Sequence, residues 1–163
     1  MELDFNKLWT GFMTWEQILP YKEQIIDMEL KASIEFHYPE WAIPRSYPEQ
    51  KVNELEQHLA NGNTYFWGAI YDGKLLGYRW CYTSMFINRL RWNNRSIIFV
   101  EEARGMGLAN LAMEAEQEKA MELGCDEMAT MYVPQNERVA KLNEKFGYCI
   151  RRIEAVKLLK PYE

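Results

Sequence analysis

One stretch in the middle of the chain constrains the fold more than any other. Residues 96–100 (SIIFV) form a short apolar, β-branched run that predicts a buried strand. From Leu108 to Leu123 apolar residues recur at helical spacing, and Gly124 then supplies a stop signal. Residues 104–109 (RGMGLA) join the two segments. The sequence therefore predicts a strand that passes through a glycine loop directly into a helix.

Such a loop is suited to bind phosphate. The first N–H groups of a helix have no partner within it and lie at the positive end of the helix dipole. Gly105 and Gly107 allow the backbone to approach a diphosphate closely, and Arg104 adds a charged donor beside it. The alternative is a tight strand-to-helix turn that binds no ligand.

Two common nucleotide motifs do not fit. A dinucleotide-binding loop needs G-x-G-x-x-G, but Asn110 occupies the third glycine position, and no Gly-Lys-Ser/Thr follows as a P-loop requires. The pattern R-x-x-G-x-A does fit, so residues 104–109 resemble the acetyl-CoA loop of the GNAT acyltransferase superfamily.

The resemblance extends along the chain. After the helix come a strand at 126–133, Asn136, and a short helix that ends in Gly147-Tyr148, similar to the Gly-Phe signature of the superfamily. Upstream, Asp72-Gly73 between two apolar runs predicts a β-hairpin. The resemblance implies a single domain over residues 1–163. It also implies an α/β (α+β) fold with a mixed, mostly antiparallel sheet of six to seven strands and about four helices.

The same resemblance implies an acetyl-CoA-dependent N-acetyltransferase that transfers an acetyl group directly to a primary amine. Its implied coenzyme contacts are main-chain groups of the strand and residues of the loop and of the following turn. They are Phe99, Val100, Glu101, Arg104, Gly105, Met106, Gly107, Leu108, Ala109 and Asn136.

Two proton transfers remain to be assigned. Glu101 ends the strand beside the expected thioester and is the candidate general base, with Glu102 and Tyr132 as rivals. The superfamily often protonates the leaving thiolate with a tyrosine, but Asn143 occupies that position. Asn143 is therefore the candidate group at the sulfur. Because a thiol of pKa ~8.5 leaves tolerably near neutral pH, losing the tyrosine need not abolish turnover.

Composition limits the compartment and the partners. Three scattered cysteines and two isolated histidines favour a reducing cytoplasm and no metal site. No apolar run is long enough to span a bilayer, so no membrane partner is expected. Residues 1–62 contain 11 acidic and 5 basic side chains, which would attract a cationic acceptor and repel nucleic acid.

The N-terminal third is rich in aromatic residues, which are Trp9, Phe12, Trp15, Phe36, Tyr38, Trp41 and Tyr47. Such residues could line an acceptor pocket, form the contact face of a homodimer, or fill the core. The acceptor could be an amine-bearing small molecule or a protein. The alternative function is a catalytically weak or inactive GNAT-like module that binds a protein partner through this aromatic region.

Overall fold

The computed structural model describes residues 4–37, 41–157 and 159. The strands there are β1 (Leu8–Phe12), β2 (Thr64–Tyr71), β3 (Lys74–Phe86), β4 (Arg89–Phe99) and β5 (Glu127–Ala129). The α-helices are α1 (Trp15–Ile18), α2 (Lys22–Ala32), α3 (Ser46–Asn53), α4 (Leu55–Ala60), α5 (Leu108–Glu122) and α6 (Glu137–Lys145). Short 3-10 turns occupy Phe5–Lys7, Leu19–Tyr21 and Glu101–Ala103, and a π-helical turn at Ser33–His37 continues α2.

The helices before the sheet follow the local sequence signals. A capping box of Thr14 and Gln17 starts α1, and the Thr14 N–H donates to the Gln17 side chain over 2.9 Å. Pro20 lies in the 3-10 turn that separates α1 from α2, because proline cannot donate the next helical hydrogen bond. Helix α3 begins at Ser46, and Glu54 separates it from α4.

The sheet has the order β1-β2-β3-β4-β5, in which the first four strands are antiparallel and β5 is parallel to β4. Asp72 and Gly73 form the β2–β3 turn with positive φ angles of 48° and 75°, as a type I′ turn requires. The predicted mixed, mostly antiparallel sheet and the hairpin are therefore confirmed.

The number of strands differs from the prediction. The described residues form five strands, not six or seven, and residues 148–157 adopt no regular structure. Ile150, Ile153 and Val156 are spaced three residues apart and all are exposed. Successive side chains of a strand point to opposite faces of the sheet, so residues three positions apart lie on opposite faces. A strand therefore could not bury all three of these side chains on one face.

Helices cover both faces of the sheet. On one face, residues from α1 to α4 pack against β2 and β3 in a core of Met13, Ile18, Ile25, Ile26, Val52, Leu55, Phe66, Leu75, Tyr78 and Trp80. On the other face, α5 packs against Trp67, Ala69 and Leu76, and a smaller cluster joins Cys81, Trp92 and Ala120. The end of β4 that leads into α5 is thus held from both sides.

Candidate active site

The glycine loop presents a row of unpartnered amides. Gly105 and Gly107 have φ angles of +78° and +81°, a left-handed conformation that side chains disfavour. The N–H groups of residues 105–109 donate to no acceptor in the described part of the chain. A Cβ at either glycine would meet no atom within 4 Å, so the space in front of the loop is open. Unpaired donors, open space and a helix start together fit a diphosphate.

A cleft opens beside this loop because β4 and β5 separate. The two strands pair only from Arg91 to Asn93 on β4, opposite 127–129 on β5, and diverge beyond that point. The resulting cavity has a volume of about 350 Å³. Strand β4 contributes residues 94–99 to its wall, and the opposite side contributes residues 130–133. The rest comes from the glycine loop with the residues on either side of it, from α6 with Asn136 before it, and from Ala32, Phe36 and Arg79.

The free edge of β4 supplies main-chain donors to this cleft. The Val100 N–H donates to the Leu76 carbonyl oxygen of β3 over 2.8 Å. Because amides alternate in direction along a strand, the N–H groups of Phe99 and Ile97 are directed to the side where β5 has diverged. The predicted Val100 amide is therefore used within the sheet. The N–H group of Ile97 is an additional candidate donor to the coenzyme, and it can be recognised only from the register in which β3 and β4 pair.

The predicted coenzyme residues divide into two groups. Those that line the cleft are Phe99, Arg104, Gly105, Gly107, Leu108, Ala109 and Asn136. Val100, Glu101 and Met106 do not contribute to its wall. The Asn136 side chain accepts a hydrogen bond from the Val139 N–H over 3.3 Å and caps α6. Asn136 therefore has a local structural role at the cleft.

The candidate catalytic residues are less uniformly placed. Glu101 and Glu102 are exposed in the 3-10 turn and lie outside the cleft wall, whereas Tyr132 lines it. Asn143 is 2% exposed, and neither polar atom of its side chain has a hydrogen-bond partner in the described structure. A buried amide without a partner is costly. Asn143 also does not contribute to the cleft wall.

Two buried ion pairs support the cleft from opposite faces of the sheet, and the sequence analysis missed both. On the α5 face, Arg79 and Glu116 are 1% and 0% exposed, and the guanidinium binds both carboxylate oxygens. Burial opposes the positive charge, but the Glu116 carboxylate outweighs it and raises the pKa of Arg79. Asn94 and Tyr148 complete this network, with the Asn94 amide 3.1 Å from the Tyr148 hydroxyl.

On the other face, Lys51 of α3 pairs with Glu29 of α2. The Lys51 ammonium also donates to the Ser96 hydroxyl over 2.9 Å, and Tyr78 donates to Glu29 over 2.9 Å. Burial lowers the pKa of Lys51 and raises that of Tyr78 well above its ordinary value. These partners are separated by at least 22 positions in the chain, so no local pattern could have indicated them.

The family model described as "Acetyltransferase (GNAT) family" matches residues 29–148, most of the chain. The chain belongs to the GNAT acetyltransferase family. The matched range includes the loop, the cleft and α6. The predicted family is confirmed, and with it the prediction of an acetyl-CoA-dependent N-acetyltransferase.

Other proteins are similar to this GNAT domain over much of their length. The uncharacterized N-acetyltransferase YdgE of Bacillus subtilis (strain 168) is 32% identical over 116 residues, which cover 68% of this chain and 74% of YdgE. The aminoglycoside acetyltransferase meta-AAC0020 from an uncultured soil metagenomic sample, solved with trehalose, has a TM-score of 0.71 at 18% identity. That match covers 98% of this chain and 100% of that protein.

A further solved structure, AAC(6′)-Iy in complex with a bisubstrate analog, has a TM-score of 0.67 at 17% identity. The match covers 93% of this chain and 97% of AAC(6′)-Iy. Both structural likenesses confirm the fold.

Within the described residues, no group of three or more histidine, cysteine, aspartate or glutamate side chains is arranged to hold a metal ion. None of the helices described there has the length and apolarity to cross a bilayer.

Proposed function

We propose that this chain transfers the acetyl group of acetyl-CoA directly to a primary amine bound in the cleft between β4 and β5. The observation that carries the proposal is the row of unpartnered amides at residues 105–109, which opens onto the cleft. These amides would hold the diphosphate. Arg104 and Arg138 line the same wall and would neutralise the coenzyme phosphates.

The edge of β4 would activate the thioester. Acetyl-CoA supplies an acyl carbon that becomes more electrophilic when its carbonyl oxygen accepts a hydrogen bond. The N–H groups of Ile97 and Phe99 are directed into the cleft and are fixed by the sheet, so they need no reorganisation during the reaction. Their donor role does not depend on side-chain identity.

The attacking amine must first lose a proton. An alkyl ammonium of pKa ~10.4 needs about 4.6 kcal/mol to become neutral at pH 7, so a nearby base helps. Of the three candidates, Tyr132 lines the cleft, while Glu101 and Glu102 are exposed outside its wall. We therefore assign the proton path to Tyr132 as a relay, in which its hydroxyl oxygen takes the proton from the ammonium while its own hydroxyl proton passes to solvent water. Glu101 is the second choice because it directly follows Val100 at the cleft end of β4.

The leaving thiolate would take its proton from solvent. Asn143 occupies the position of the usual tyrosine, and its buried amide has no partner that would aim it at a ligand. A thiol near pKa 8.5 leaves without an acid at a moderate rate.

Three free cysteines fit a reducing compartment, so we propose that the enzyme acts in the cytoplasm.

An inactive module that binds a protein partner is the second candidate. Trp41 and Tyr47 are 49% and 50% exposed, which suits a partner surface, and Trp9 is exposed as well. Phe12 and Trp15, in contrast, pack against the core, and Phe36 lines the cleft. Tyr38 lies outside the described residues. The unpartnered amides favour the enzyme, since a module without a coenzyme has no need of them.

Thiol release from acetyl-CoA against a panel of primary amines tests the proposal. The wild-type chain should release thiol, and Gly107→Glu should abolish the release because a carboxylate would occupy the phosphate site. Gly124→Glu is the matched control, since Gly124 has a φ of +73° and open space but lies outside the cleft. Tyr132→Phe should lower the rate more than Glu101→Gln or Glu102→Gln.

Two outcomes would contradict the proposal, and they are distinguishable. If acetyl-CoA fails to raise the melting temperature, the chain does not bind the coenzyme and the proposed acetyl transfer is wrong. If acetyl-CoA raises the melting temperature but no amine is acetylated, the protein-binding module is the correct function.

A further inference from the structure

One wall of the cleft carries a positive charge that no acidic side chain among the described residues neutralises. Arg95 lines the cleft and has no ion-pair partner in the part of the chain that the structure describes. No aspartate or glutamate belongs to the cleft wall there. Arg79 is already paired with Glu116, and Arg104 lies in the loop proposed to hold the diphosphate. Arg95 is therefore available for an anion of a different ligand.

The position of Arg95 separates it from the coenzyme phosphates. Trp80 is opposite Ser96 and Cys81 is opposite Asn94, so Arg95 is the extra residue of a β-bulge in β4. It precedes Phe99 by four residues, which is about 13 Å along a strand at roughly 3.3 Å per residue. The loop at residues 104–109 lies beyond Phe99. Arg95 is thus at the end of the cleft where β4 and β5 begin to separate.

Arg95 is an exposed residue whose guanidinium contacts one aromatic ring of the core. The Arg95 Cζ lies 5.0 Å from the centroid of the Trp80 ring, and Trp80 is buried. The Lys51 Nζ lies 5.0 Å from the same centroid. Burial is the main cause of the lowered pKa of Lys51, and the charge of Arg95 lowers that pKa further. An anion bound to Arg95 would relieve this repulsion.

Ser96 provides a second donor on the same wall. The Lys51 ammonium can only donate, so the Ser96 oxygen is the acceptor of their 2.9 Å hydrogen bond. The hydrogen of the Ser96 hydroxyl therefore remains free to be donated, and Ser96 lines the cleft. A guanidinium and a hydroxyl on adjacent residues match the two oxygens of a carboxylate.

The acidic residues of the N-terminal third that form ion pairs do so with Arg45 or Lys51 or within their own helix, and none of them pairs with Arg95. Glu23, Asp27 and Glu49 all bind Arg45 on the surface, and Glu29 is engaged by Lys51. The sequence predicts that this acidic region attracts a cationic acceptor, but none of its described carboxylates lines the cleft. Ala32 and Phe36 line the cleft and offer an apolar contact instead.

We propose that the acceptor is a free amino acid, whose carboxylate is bound by Arg95 and Ser96 while its amine faces the thioester. This inference depends on the proposed acetyl transfer. It disfavours two acceptors that a GNAT enzyme could take, a polyamine and a lysine side chain in a protein, because neither has a carboxylate beside the reacting amine.

Matched pairs of acceptors test the assignment. The nineteen standard amino acids with a primary amine are compared with the corresponding amines that lack only the carboxylate, such as phenylalanine with phenethylamine. Thiol release should give a kcat/KM at least tenfold higher for at least one amino acid than for its amine. Arg95→Gln should remove this preference by raising KM for the amino acid, with little change for the amine. Arg95→Lys should retain part of it.

The control is Arg89→Gln, because Arg89 lies on the same strand, is exposed and does not line the cleft. It should leave both members of each pair unchanged. Equal activity on amine and amino acid, or an equal loss on both in Arg95→Gln, would overturn the assignment. If acetyl-CoA raises the melting temperature but no amino acid is acetylated, this inference fails while coenzyme binding stands. If acetyl-CoA has no effect on melting, the proposed function itself fails.

Discussion

Two glycines with the same backbone conformation allow coenzyme binding to be separated from backbone strain. Gly107 has a φ of +81° and Gly62 a φ of +76°, and a Cβ at either position would meet no atom within 4 Å. Alanine should therefore cost about 1–2 kcal/mol of stability at each site, through the left-handed conformation alone. For a chain of 163 residues this lowers the melting temperature by roughly 2–8 °C in both variants.

Acetyl-CoA should distinguish the two variants, because Gly107 lines the cleft and Gly62 does not. At 100 times its dissociation constant a ligand stabilises a protein by about 2.7 kcal/mol, or roughly 5–11 °C here. Wild type and Gly62→Ala should show this full gain. In Gly107→Ala the methyl group enters the diphosphate space, and a tenfold weaker affinity would leave about 1.4 kcal/mol.

Differential scanning calorimetry at fixed salt, with and without acetyl-CoA, provides the measurement. Equal coenzyme gains in the two variants would refute the reasoning, since the Cβ of residue 107 would then not face the bound phosphates. A much larger stability loss in Gly107→Ala than in Gly62→Ala, measured without coenzyme, would contradict the claim that the space in front of the loop is open.

Three further predictions concern stability. Glu116→Leu should cost about 3–5 kcal/mol in urea unfolding because it leaves Arg79 buried without its partner, and Arg79→Met/Glu116→Leu should recover most of the loss. If the double variant is no better, the pair is not the cause. Hydrogen bonds from Arg91 and Arg151 lower the pKa of Glu127 below its ordinary value. The stability that this carboxylate contributes is therefore present above its ordinary pKa and is lost as the pH falls through the lowered pKa. Glu127→Gln should therefore flatten the fall in melting temperature between pH 6 and 3, and an unchanged slope would contradict this. Asn143→Leu should raise the free energy of unfolding by about 1–3 kcal/mol, because two unpartnered buried polar atoms are removed. A loss of stability would show that the amide has a partner.

Most of the fold and the coenzyme loop could be predicted because their signals are local. The glycines at 105 and 107, the strand before them and the amphipathic run after them lie within thirty positions and form the predicted elements. Asp72-Gly73 likewise determines its own turn. The expectation of a sixth and seventh strand came from the family resemblance alone, and the three-residue spacing of Ile150, Ile153 and Val156 opposes a strand in that segment.

The side chains that surround the acceptor end of the cleft could not be predicted. Glu29, Lys51 and Ser96 come from α2, α3 and β4, and their contact depends on how two helices pack on the sheet. From the sequence, the main-chain amides of Val100 and Phe99 were equally good candidates to bind the coenzyme. In the structure, the Val100 N–H donates to the Leu76 carbonyl oxygen within the sheet. Register is a property of two strands together, so neither strand alone contains it.

The succession of a strand, a glycine loop and a helix is encoded locally in the amino-acid sequence, since conformational preference and periodicity act over a few residues. Packing in three dimensions is what separates β4 from β5 after three pairs, buries the Arg79–Glu116 pair, and leaves Arg95 without an acidic partner among the residues that the structure describes. The reason is that charge pairing and burial depend on distances through space, which residues far apart in the chain acquire only when the sheet and its helices have packed.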